Sequence, residues 1–282
     1  MTVAIVTDST SDLPRPFVDR LRIRVVPLTV YFGDEAFRDG IDIDAETFYR
    51  RLVNSRELPR TSQPSVEAFV GTYRDALAAG ASAIVSIHIS SKLSGTLNSA
   101  RLAAESVRAE TGARIEVIDS LNVSLGLGAV VLDAAEAAAR GASVDEVVEA
   151  ARATIGAVHV VCVLDTLEYL QRGGRIGRAR SLLGTMLRIK PLVHVVDGEV
   201  APFDRVRTKE RAVERLFEFA IANQDARRMF VAGGGNEDEV TRFRERLEDA
   251  MPAMEIIQGT IGPVVGVYTG PNVLGVCPVK RR

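Results

Sequence analysis

Tryptophan is absent from the 282 residues, and aromatic residues make up only 5% of them. Proteins that stack nucleic-acid bases do so on aromatic faces, so a nucleic-acid platform is not expected. The only two cysteines, Cys162 and Cys277, stand far apart and outside any paired motif, which argues against a disulfide framework and against a zinc site. Three histidines, His88, His159 and His194, sit singly in apolar runs and read as core or strand residues rather than metal ligands. A net charge of -2 provides no strong field toward nucleic acid or an anionic membrane. No stretch approaches the roughly 18–20 uncharged apolar residues needed to span a bilayer, and Met1 to Thr7 reads as a strand rather than a leader. The chain is therefore expected in the cytoplasm, with at most transient membrane contact. The P-loop pattern, the strict dinucleotide-binding glycine fingerprint, G-x-S-x-G and paired catalytic carboxylates are also missing.

What is present is a chain that is 46% hydrophobic and 26% charged, enough for substantial cores. Short β-rich runs alternate with amphipathic segments. VAIVTD (3–8) is a compact strand, IRVVPLTVYF (23–32) reads as a second apolar run, and GDEAFRDGIDID as a polar bend. AETFYRRLVNS reads as a helix with Phe48, Leu52 and Val53 on its apolar side. RELPRTSQPS is loop because of Pro59 and Pro64, and Ser65 is placed to cap the following helix. SAIVSIHIS (82–90), a helix over 96–111 and ARIEVIDS (113–120) come next. Two further helices run over 125–140 and 143–155. Such alternation predicts a mainly parallel sheet covered on both faces. The pattern restarts near Ala157, which divides the chain into 1–156 and 157–282. In the second part PLVHVVDGEVAPFDRVRT reads as a hairpin turning at Asp197-Gly198, and the tail from Met254 as strands and glycine turns.

Four segments carry candidate chemistry. In DSTSDLP (8–14), Asp8 is the functional candidate and Ser11 or Asp12 the candidate helix cap. RTSQPS offers Thr61, Ser62 and Ser65 just before a helix, where free N–H groups and the positive dipole end suit an anion. SSKLSGT (90–96) joins a buried strand to a helix: Ser94 and Thr96 supply hydroxyls and Gly95 admits a ligand close to the backbone. No strand-end histidine presents itself as a base, so Ser94 is a hydrogen-bond donor before it is a nucleophile. QRGGRIGRAR carries Arg172, Arg175, Arg178 and Arg180, joined by Arg205 and Arg207 of DRVRT; they read as a solvated face or as a site for phosphate or an acidic partner. GGGN (233–236) is a weaker candidate anion nest.

VAIVTDSTSDLP, TSQPS, SSKLSGT, VIDSLNVSLGLG, LEYLQRGGRIGR, IKPLV with DGEVAPFDRVRTKERA, and GPVVGVYTGPNVLGV, in this order, span nearly the whole chain. Together they resemble the DegV family. The resemblance implies two α/β domains with a ligand between them: an N-terminal three-layer α/β/α domain with a mainly parallel sheet, and a C-terminal two-layer domain with a mixed sheet. It implies a bound long-chain fatty acid, palmitate-like or oleate-like. The carboxylate would lie on hydroxyls and backbone amides of TSQPS and SSKLSGT, with Thr61, Ser62 and Ser94 as head-group contacts. The acyl chain would lie in an apolar tunnel. It also implies presentation of that carboxylate to a fatty acid kinase, in service of phospholipid synthesis, with Arg172, Arg175, Arg205 and Arg207 at family basic positions. The sequence departs from the family pattern at Tyr268, where histidine is usual; a phenol can donate a hydrogen bond but is no cation. A carrier of this kind needs no cofactor and no catalytic residue. The competing reading is a serine hydrolase or phosphotransferase acting on a small anionic ligand, which requires a base near Ser94 or a metal site. DNA binding is disfavoured by the near-neutral charge and the lack of a recognition-helix motif.

Overall fold

The structure is a computed structural model that describes residues 2–55, 57–184 and 189–281. Strand β1 (Val3–Asp8) enters the centre of a four-stranded parallel sheet in the order β2-β1-β6-β7, with β2 (Arg24–Val26), β6 (Ala83–His88) and β7 (Arg114–Asp119). All six residues of β6 are buried, as expected of a strand covered on both faces. Helices α3 (Val66–Ala78) and α4 (Thr96–Thr111) cover one face; α5 (Leu125–Ala139) and α6 (Val144–Ile155) cover the other. Ser65 caps α3 by accepting from Ala68 N, Gly112 ends α4 in the left-handed conformation, and Ser143 and Glu146 form a capping box on α6.

The second sheet is mixed, in the order β10-β9-β8-β13-β11-β12. Its strands are β8 (Val161–Val163), β9 (Lys190–Val196), β10 (Glu199–Val206), β11 (Arg228–Gly234), β12 (Ile256–Thr260) and β13 (Val273–Val279); only β11–β12 is a parallel pair. Helices α8 (Lys209–Ile221) and α9 (Glu237–Ala250) pack on its outer face. The β9–β10 hairpin turns at Asp197 (φ 52) and Gly198 (φ 81), the pair of positive φ values that a two-residue hairpin requires.

Helix α5 lies between the two sheets. Leu125, Ala129 and Leu132 join Phe230, Ile257 and Val273 on the C-terminal side, while Leu127, Val130, Val131 and Ala134 join the core of the parallel sheet. A helix apolar nearly all round is what such a position demands. Gly128 sets the closeness of the fit: a Cβ there would stand 2.5 Å from the carbonyl oxygen of Ser11. Gly128→Ala should therefore lower stability by about 1–3 kcal/mol, although Ala normally gains about 1 kcal/mol over Gly in a helix; a urea unfolding midpoint at or above wild type would contradict this packing. At the far end of α5, Asp133 accepts from Thr154 and pairs with Arg227, and Arg228 reaches Glu136 (3.1 Å) and Glu255 (2.8 Å).

Six expectations are corrected. The apolar run 23–32 splits at Pro27 into β2 and β3 (Thr29–Phe32), which belong to different sheets: β3 centres a small antiparallel sheet with β4 (Glu35–Arg38) and β5 (Arg60–Ser62). The polar bend and the proline loop thus each contribute a short strand. On α2 (Ala45–Asn54), Tyr49 rather than Val53 is buried beside Phe48 and Leu52; Val53 is 61% exposed. Ahead of α1 (Arg15–Arg20), neither Ser11 nor Asp12 is the helix cap; that position is Pro14. The tail holds a helix, α10 (Pro263–Thr269), opened by a proline at its first turn and closed by Gly270.

Candidate functional site

Three sequence-predicted segments meet at one cavity. Strand β5 fixes the first: Thr61 pairs with Val30 and Ser62 with Thr29 of β3. The Thr61 hydroxyl then lies 2.6 Å from the Tyr268 hydroxyl, and Ser62 Oγ 3.3 Å from that of Tyr31. The second is the turn after β6, closed by Leu93 N and Ser94 N donating to Ser90 O. It delivers Ser94 to the start of α4, where Ser94 Oγ meets Thr96 Oγ1 (2.9 Å) and accepts weakly from Thr96 N (3.3 Å). No side chain caps α4, so its first N–H groups add positive potential at Ser94. The third is α10, the helix hidden in the valine-rich tail, which carries Tyr268.

The cavity has a volume of ≈ 410 Å³, within the range usual for small-molecule sites. Its polar end holds Thr61, Ser62, Gln63, Ser94, Tyr268 and Arg175; Gln63 and Arg175 are exposed there. The buried part of its lining is aliphatic, with Leu28, Ile89, Leu170, Val200, Val264 and Val265, apart from Thr10, whose hydroxyl is committed to Asp8. Those six come from both halves of the chain. Among the described residues, Arg175 is the sole charged side chain in the lining and no carboxylate is present. Arg175 lies 5.1 Å above the Tyr268 ring and donates through Nε to Leu93 O (3.2 Å). The arrangement suits one anionic group at the open end with a long apolar body behind it.

Other predicted residues lie elsewhere. Gly95 and Thr96 stand behind Ser94 and do not line the cavity; Gly95 packs on Gln63, whose side chain a Cβ would strike. Of the four arginines at family basic positions, only Arg175 reaches the cavity. Arg172 pairs with Glu168 (3.2 Å), Arg205 is exposed on β10, and Arg207 lines a separate cleft with Asp165 and Lys190. Arg178 is tied to Val196 O and Asp197. The GGGN turn is no anion nest, because α9 begins with Glu237, Asp238 and Glu239. Gln63, Leu93, Val123 and Thr269, all cavity-lining, lie within the quoted motifs, but nothing in their residue types singled them out.

Asp8 is structural. Its carboxylate is fully buried and accepts from Thr10 N (3.1 Å), Thr10 Oγ1 (2.5 Å), His88 Nδ1 (2.9 Å) and Ile89 N (3.0 Å). With Nδ1–H given to Asp8, His88 Nε2 accepts from Ser86 (2.7 Å), whose oxygen also meets Tyr73 OH (2.8 Å). This has the order of a catalytic triad, but Ser86, His88 and Asp8 are all 0% exposed, and Ser86 is not in the cavity lining. His159 and His194 face each other at 3.1 Å. Ser94 therefore has a hydroxyl partner where a nucleophile would need an imidazole. Burial pushes the Cys162 thiol up to about 12 and raises that of Cys277 as well, so neither is an activated thiol. No described helix is long and apolar enough to cross a membrane.

A family model described as "Uncharacterised protein, DegV family" matches residues 2–281. The chain belongs to the DegV family. A DegV domain-containing protein of Streptomyces coelicolor is 38% identical over 282 residues, 99% of each chain. Among solved structures, a DegV family protein of Thermus thermophilus, described for its fatty acid binding, superposes with a TM-score of 0.90 at 36% identity over 100% of both chains. A stearic acid-binding protein of Eubacterium ventriosum superposes with a TM-score of 0.92 at 27% identity, over 99% of this chain and 98% of that one. The DegV fold assigned from the ordered motifs, with its parallel and mixed sheets, is thus the fold observed.

Proposed function

We propose that this DegV protein binds a long-chain fatty acid in the ≈ 410 Å³ cavity and presents its carboxylate to a fatty acid kinase. The observation that carries the reading is the polarity gradient of that cavity: hydroxyls and one arginine at the exposed end, buried aliphatic side chains at the other. The two solved structures described as fatty-acid-binding share the fold over 99% or more of this chain. Thr61 and Ser94 are the principal donors to the carboxylate. Ser62 and Tyr268 complete the grip, the positive end of the α4 dipole favours the anion, and Arg175 provides the compensating charge. Burying the acyl chain contributes about 0.8 kcal/mol per methylene, on the order of 10 kcal/mol for a sixteen-carbon chain before association costs. The protein acts as a carrier, and the phosphoryl chemistry belongs to the kinase, which reaches the carboxylate from the exposed side past Gln63 and Arg175. The exposed Arg172, Arg205 and Arg207 are available to an acidic kinase surface.

A phenol is no cation, so the share of Tyr268 in the grip is one hydrogen bond beside Thr61. Tyr268→Phe should weaken palmitate binding about three- to tenfold at about pH 6. Calorimetric titration of lipid-free protein checks this; an affinity equal to that of wild type would contradict it. Presentation is tested by combining the palmitate-loaded protein with a fatty acid kinase and ATP. Acyl phosphate forming only with all three components is the expected result. Turnover of acyl phosphates or p-nitrophenyl esters by the protein alone, abolished in Ser94→Ala, would instead establish the hydrolase reading.

A further inference from the structure

Two carboxylates lie beneath the helix that carries Tyr268. Asp12 follows a short helical turn (Ser9–Ser11) with φ 48, a left-handed conformation that aspartate tolerates better than most residues. There its Oδ1 accepts from Gly262 N (3.0 Å) and its Oδ2 from the Ser124 hydroxyl (2.5 Å). Gly262 is the residue that opens α10. Asp39 approaches the same point: a Cβ on Gly262 would lie 2.7 Å from Asp12 Oδ1 and 3.6 Å from Asp39 Oδ1. Asp39 is 6% exposed, and its Oδ2 has no hydrogen-bond partner among the described residues. Both acids belong to the first half of the chain and α10 to the second. The contact therefore joins the two halves at the element that supplies Val264, Val265, Tyr268 and Thr269 to the cavity.

We propose that Asp12 and Asp39 are positioning residues that seat α10, and with it the Tyr268 hydroxyl, as long as the two carboxyls carry no more than one negative charge between them. The proposal rests on the fatty-acid reading only for its binding readout. Two close carboxylates in a closed site cannot both ionise without large cost. Asp8 from β1 deepens that cost, while the Ser124 hydroxyl and Gly262 amide at Asp12, and the Ser9 hydroxyl and Val264 amide at Asp39, offset part of it. Tyr49 of α2 also faces the pair; burial and then the charge of Asp12 keep its phenol protonated, and its hydroxyl is buried without a hydrogen-bond partner among the described residues. Asp19, Arg15, Arg22 and Arg24 line the cleft outside the pair, but Arg15 is committed to Asp19 and Arg24 to Asp75 O. Burial pushes Asp39 up to about 7; burial, and after it the charge of Asp39, raises Asp12 well above the carboxylate range. Each acid thus holds its proton more tightly folded than unfolded. The contribution of Asp39 to the seat is complete below the ordinary carboxylate range and is lost as pH rises through about 7.

The test compares wild type with Asp39→Asn, Asp12→Asn and Asp12→Ala from about pH 6 to about pH 9, a window in which palmitate itself stays ionised. Three quantities are followed: palmitate affinity, the unfolding midpoint without ligand, and hydrogen exchange of the Gly262 amide. Wild type should lose about tenfold or more in affinity across the window, with a falling midpoint and faster Gly262 exchange. Asp39→Asn should flatten all three profiles at their acid-side values. Asp12→Ala should weaken binding and expose the Gly262 amide at every pH, and Asp12→Asn, whose amide oxygen still accepts, should restore both. Flat wild-type profiles, or an Asp39→Asn slope equal to that of wild type, would overturn the proposal. If palmitate does not bind at all, the fatty-acid reading fails, while the midpoint and exchange profiles still decide for or against the seat.

Discussion

Replacing Thr61 and Ser94 together by alanine is expected to weaken palmitate binding at least about a hundredfold and to leave the fold intact. A hydrogen bond to a charged group contributes about 1.5–3 kcal/mol, so each single variant should lose about ten- to a hundredfold. The losses should not add fully, because both hydroxyls address one carboxylate. What makes the double variant severe is the unpaired charge: with both donors gone, the carboxylate keeps Arg175 but loses two of the hydroxyls that line the cavity. Thr61 meets Tyr268 in the protein alone and Ser94 meets Thr96. Neither contact ties a core cluster together, so circular dichroism and the unfolding midpoint should remain close to those of wild type. A double variant binding within twofold of wild type would remove the head group from this end of the cavity.

The largest effect should come from the ligand. Octanoate presents eight fewer methylenes than palmitate to Leu28, Ile89, Val200, Val264 and Val265. At about 0.8 kcal/mol each this amounts to about 6 kcal/mol, or on the order of a ten-thousandfold in affinity. A calorimetric series of even-numbered fatty acids should rise steeply with length and then level off where the apolar wall ends. Equal affinities for octanoate and palmitate would mean that the cavity holds only the head group.

How much of this was readable beforehand follows from how local each signal is. The α4 span, the Ser65 and Ser143 caps and the Asp197-Gly198 turn depend on a few adjacent residues, and they formed where the sequence pattern placed them. Thr61, Ser62 and Ser94 could be picked out together because each stands just before a helix start in the sequence, and the fold brings all three to one cavity. Helix α10 was hidden because Val264, Val265, Val267 and Tyr268 are strand-favouring types; only Pro263 at its start and Gly270 at its end mark it as a helix. Pro27 divided an apolar run that composition alone read as continuous. The inner lining was illegible for a different reason: Leu28, Leu170, Val200 and Val264 are ordinary aliphatics brought together by elements remote in sequence. The arginines do not gather at the cavity because proximity in sequence is not proximity there; only Arg175, tied to Leu93 O, lines it.

Native mass spectrometry of the protein as purified from a bacterial host, before and after adding palmitate or oleate, tests the central claim most directly. The account predicts one fatty acid per chain, carried through purification or taken up on addition, and lost from the variant with both Thr61→Ala and Ser94→Ala. Bare protein that takes up neither acid would contradict it.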